Sequence, residues 1–161
     1  MENTLGAAVR GLIEAGKGEQ IKGLVVLPLL TLESETRLAI DADLRWIALP
    51  PDDRAPFIHG PGAEHVLSEV IEWKRDDFES RLEEGARAHG LPPDEIVFAF
   101  PAVGVLRGVL GKAFPYYTRL ALLWVRPSEL RELRADLLAV SKTPNMPTPI
   151  KDLAERLVVP E

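Results

Sequence analysis

The chain has 161 residues, no cysteine and a formal net charge of −6, with 46% hydrophobic and 27% charged residues. That balance suits one globular domain with a proper core. It excludes a disulfide scaffold, thiolate metal sites, a cysteine nucleophile, a collagen-like repeat and wholesale disorder.

Residues 1–21 open with an amphipathic helix in which Leu5, Val9, Leu12 and Ile13 share one face and Gly16 and Gly18 give the stop. The helix is too interrupted by Arg10, Glu14 and Lys17 to be a secretory signal. Residues 21–31 are apolar and β-branched and predict a strand, with Pro28 marking an edge or a bulge. Residues 32–35 are a polar break. Residues 36–47 alternate: Leu38, Ile40, Ala42, Leu44 and Trp46 fall on one face, Arg37, Asp41, Asp43 and Arg45 on the other. Such alternation predicts a half-buried strand paired antiparallel with 21–31, its aspartates exposed.

Residues 49–62 concentrate proline, glycine and aspartate and predict a loop. Residues 63–89 predict one long helix, ended by Gly90. Residues 95–100 and 116–125 read as buried strands, and 102–113 as a glycine-rich helix or wide loop. A helix follows Ser128, burying Leu130, Leu133, Leu137 and Leu138. The order α-β-β-α-β-(α)-β-α-α predicts an α+β domain over residues 1–142. Its sheet is expected to have four strands, antiparallel or mixed, flanked by helices. Residues 143–161 read as a proline-rich connector and a short C-terminal helix.

Acidic and basic side chains are unevenly spread, 17 against 9 in residues 1–85 and 5 against 8 in residues 86–142. An acidic total disfavours nucleic acid as a partner, because phosphate contacts supply most non-specific affinity. No uncharged apolar run reaches about 18 residues, so no membrane-spanning helix is expected. The absence of cysteine fits a reducing, cytoplasmic setting.

Chemistry-bearing patterns are weak. Gly111-Lys112 lacks both the upstream glycine and the following Ser or Thr of a phosphate loop, and no serine stands in a G-x-S-x-G turn. Asp41 and Asp43 on one strand face, or His59 and His65 beside the acidic loop, form the candidate metal site of a hydrolase or nuclease-like enzyme. Arg37 and Arg45 neutralise that strand face equally well. Arg107, Lys112, Tyr116 and Arg119 form a candidate site for a small anionic ligand. No cofactor is expected.

With no catalytic constellation standing out, the sequence favours a non-enzymatic regulatory or adaptor protein acting through protein contacts, with a protein partner or a second copy of itself as a homo-oligomer. Ile150, Leu153 and Leu157 on the last helix are the candidate partner-binding residues. A helix this short needs a surface to bury against.

Overall fold

The computed structural model describes residues 4–159, the side chain of His65 excepted. Helix α1 (Thr4–Glu14) precedes five strands, β1 (Glu19–Ile21), β2 (Leu24–Thr31), β3 (Arg37–Ile40), β4 (Trp46–Leu49) and β5 (Phe57–Ile58). They form one antiparallel sheet in chain order, each strand beside its sequence neighbour. A 3-10 helix (Glu64–Glu72) then leads into α2 (Arg75–Ala88), α3 (Pro93–Ala99), α4 (Ala102–Lys112) and α5 (Pro115–Trp124). A short 3-10 turn (Pro127–Glu129), α6 (Leu130–Ser141) and α7 (Thr148–Val158) complete the α+β fold. Among the described residues no helix is long and apolar enough to cross a membrane.

Local backbone chemistry explains the hairpins. Lys22 and Gly23 both have positive φ, 50° and 83°, the requirement of a two-residue type I′ turn. The Lys22 ammonium then donates to the carbonyls of Pro50, Asp52 and Arg54 at 2.6–2.9 Å, tying this hairpin to the loop after β4. The β2–β3 and β3–β4 connections each carry one residue in the left-handed region, Glu35 at φ 70° and Leu44 at φ 59°.

The strands alternate between two cores. Leu27, Leu38, Ile40, Trp46 and Ala48 face the helices, joining Phe78, Phe100 and Trp124 in the main cluster. Val26, Ala39, Ile47 and Leu49 make a second, small cluster. Ile21 from one edge strand and Ile58 from the other both pack on that cluster. On the helix side, α2 comes very close to β2. A Cβ at Gly85 would sit 2.0 Å from the Leu29 carbonyl oxygen, so only glycine permits this approach.

The α+β class and the antiparallel sheet are as expected, with five strands in place of four. The particulars differ in physically informative ways. Residues 36–47 are two strands and a turn, and part of the 49–62 loop is β5. Residues 63–89 break at Trp73, whose extended backbone separates the 3-10 helix from α2. Residues 95–100 and 116–125 are mainly helical, as α3 and α5. Both helices have proline in the first turn, where its fixed φ suits a helix and its missing N–H is not needed.

Candidate functional site

Helix α3 is the feature that ordinary core packing does not explain. Residues 96 and 98 lie about 200° apart on a helix, so when Ile96 turns inward Phe98 turns outward. Ile96 is 0% exposed and Phe98 is 92% exposed, more than any other large hydrophobic side chain among the described residues.

Phe98 stands between two grooves. The larger, of about 710 Å³, runs between α2, the α3–α4 corner and the start of α6. Val97, Phe100, Ala102 and Val103 give it an apolar floor, and Glu83, Asp94 and Glu132 are among its acidic rim. The smaller, of about 530 Å³, has Leu5 and Ala99 beside Asp94 and Glu95. The ridge is therefore an apolar knob on acidic ground.

One wall of the larger groove is a rigid ion-pair network. Arg75 meets Glu129 through two parallel bonds of 2.7 Å, donates to the Trp124 carbonyl at 2.9 Å and lies 4.9 Å over the Trp124 ring. Burial alone pushes the Arg75 guanidinium toward the neutral form. Its bonds to Glu129 and Glu79 outweigh that, and the group is held charged above its ordinary value. Arg126 adds bonds to Asp76 at 2.6 Å and Glu79 at 2.9 Å. Both side chains of the Arg75–Glu129 pair are largely sequestered, so the wall is fixed geometry rather than mobile surface charge.

The sequence-derived metal candidates do not converge. Asp41 is buried, against the expected exposure, because it closes the β3–β4 turn. Its Oδ1 accepts the backbone N–H groups of Asp43 and Arg45, and its Oδ2 takes the Arg45 guanidinium at 2.7 Å. Asp43 is exposed on the same turn. The His59 ring packs against Gly104 of α4, with Nδ1 buried and without a hydrogen-bond partner from the protein. Burial holds this imidazole below its usual range, with Glu64 pulling the other way. The His65 side chain lies outside the described residues. Among the described residues no three His, Asp or Glu form a metal-holding group.

The anion candidates are also dispersed. Arg107 faces α6, bonded to the Asp136 carboxylate at 3.2 Å and the Glu132 carbonyl at 3.0 Å. Lys112 lies instead in a pocket of about 250 Å³ with Ser68, Phe114 and Tyr117. Tyr116 stacks edge-on against Tyr117 at 5.1 Å, and Arg119 is exposed on α5. Arg107 and Lys112 are five residues apart on α4 and point about 140° away from each other.

Ile150 is buried, and Leu153 and Leu157 are half-buried against their own chain. Ile150 belongs to the main core and the other two pack against it, with α7 seated on α6 and α5 of its own chain. The connector folds back instead of extending. Asn145 turns it with φ 67°, and Met146 is buried beneath. Proline stiffness alone would hold such a connector extended; the left-handed Asn145 and the buried Met146 after it turn it back.

Phe98 escaped the sequence reading because a strand would put it on the same face as Ile96 and Phe100. The signal was present: Pro93 followed by Asp94 and Glu95 is the composition of a helix start. No family model matches the chain, and no curated protein and no solved structure shows significant similarity to it.

Proposed function

We propose that the protein is a non-enzymatic adaptor or regulatory protein of the cytoplasm that acts through protein contacts, with α3 as its docking ridge. The observation that carries this reading is the 92% exposure of Phe98 between two grooves with apolar floors. Covering such a ring is worth roughly 1.5–3 kcal/mol. A lone exposed phenylalanine on a flat polar surface would need no explanation. Here the ring projects from a short helix beside a groove whose far wall is the fixed Arg75–Glu129 pair, with a polar, acidic rim around it, which suits an interface anchor. An enzymatic reading through Asp41 loses support because both of its carboxylate oxygens are committed to the turn and to Arg45.

The test is a photo-crosslinking residue in place of Phe98. It is expected to give a discrete protein adduct in cell extract. Phe98→Ala is expected to compete poorly for the same contact while melting at the wild-type temperature, since an exposed ring contributes little to the fold. Absence of any protein adduct from position 98 overturns the reading.

A further inference from the structure

Another groove lies between the 127–134 segment and the end of α7. It has a volume of about 680 Å³, with Leu130, Leu157, Val158 and Val159 as its apolar part and Arg131, Arg134 and Arg156 around them. Among the described residues no acidic side chain lines it, and none of the three arginines takes part in an ion pair. Arg134 donates to the Val158 carbonyl at 3.2 Å, which fixes the groove edge. Val159 is 64% exposed. In a chain of net charge −6 this is a local basic, apolar hollow.

Its chemistry mirrors the α3 ridge. The ridge offers a protruding apolar ring flanked by Asp94 and Glu95, and the hollow offers apolar walls flanked by three guanidinium groups that meet no carboxylate among the described residues. No residue lines both the hollow and either groove beside Phe98; segment 126–134 divides the hollow from the larger groove, with Arg126, Ser128, Glu129 and Glu132 on one side and Pro127, Leu130, Arg131 and Arg134 on the other. We infer that the occupant of the α6–α7 groove is the α3 ridge of a second copy of this chain, with Phe98 seated between Leu157 and Val159 and its acidic neighbours facing Arg131 and Arg156. This inference rests on the docking-ridge reading and names its partner.

The contact is head-to-tail, since ridge and groove are different patches. Two molecules each carrying net negative charge repel at long range, which leaves local complementarity to set the register and suppress other encounters. One ring and a few ion pairs make a modest interface, so association is expected at micromolar or weaker affinity.

Sedimentation equilibrium of the full chain tests this with Phe98→Ala, the double variant Arg131→Glu with Arg156→Glu, and a mixture of the two. All three substituted side chains are exposed, and thermal melting checks that each variant is folded. The wild type is expected to rise above monomer mass with concentration, and to weaken about tenfold when salt goes from about 0.05 M to about 0.5 M, as screened charge pairs should. Each variant alone is expected to remain monomeric. The mixture is expected to form a 1:1 complex, because one variant retains the groove and the other retains the ridge. A monomeric wild type, variants that associate as well as the wild type, or a mixture that stays monomeric overturns the head-to-tail contact. An adduct from position 98 to a different protein, with a monomeric wild type, overturns this inference alone. No adduct to anything overturns the docking ridge as well.

Discussion

Asp41 illustrates how a carboxylate that suggests catalysis from its sequence context can be wholly occupied by structure. Its side chain bonds two backbone N–H groups and one guanidinium, all within four residues. Replacing it by alanine leaves the turn without those bonds, and charged hydrogen bonds of this kind are worth about 2 kcal/mol in total effect. Asp41→Ala is therefore expected to lower unfolding free energy by about that much in a urea titration, while Asp43→Ala changes little. His59 has a pH signature. Burial depresses its folded-state affinity for a proton, so below about pH 6.5 the unfolded chain holds more protons than the folded one. Its contribution to stability is complete above the unfolded value and is lost as pH falls through the lower folded value. The melting temperature is expected to decline on acidification from about pH 6.5. His59→Gln should flatten that slope, and an unchanged slope would exclude His59 as its source.

At the scale of elements, the close seating of α2 on β2 depends on Gly85. Elsewhere in an exposed helix, alanine for glycine gains about 1 kcal/mol of helix propensity. Here the added methyl would sit 2.0 Å from the Leu29 carbonyl oxygen, backbone at the register shift of β2, so the strand or the helix must move to admit it. Gly85→Ala is expected to destabilise the protein by about 1–3 kcal/mol in spite of the propensity gain, as overpacking does. Thermal unfolding reads the sign directly. A rise in melting temperature would show that α2 can lift from the sheet at little cost. The same element-level logic explains the helix–strand misreadings. Residues 120–125 are almost continuously apolar, and a helix packed against α4, the 3-10 helix and α7 reads much like a central strand. Pro115 in the first turn was the clue that separated the two.

For the whole molecule, the α+β class and the pairing of the second and third strands were legible, because alternation along 36–40 and the apolar run before it demand a sheet with a covered face. The β3–β4 hairpin was hidden by parity. Ile40 and Trp46 are cross-strand partners an even number of residues apart, so the alternation stays in phase straight through the turn. The docking candidates were less legible still. The α3 ridge depends on a helix read as a strand, and the basic hollow depends on α7 folding back beside α6, which no local pattern announces. The strand order has a consequence in time. Every strand pairs with its immediate successor, so the sheet is built from short chain closures, and such contacts form quickly. The seating of Gly85 against Leu29 closes a far longer loop and is expected to form later. A mutation that disturbs only a late contact should accelerate unfolding and leave refolding nearly unchanged. In stopped-flow chevrons of Gly85→Ala, the unfolding limb is expected to rise while the refolding limb overlays that of the wild type. A refolding limb that drops by the full stability loss would instead mean that α2 meets β2 before the hairpins are complete.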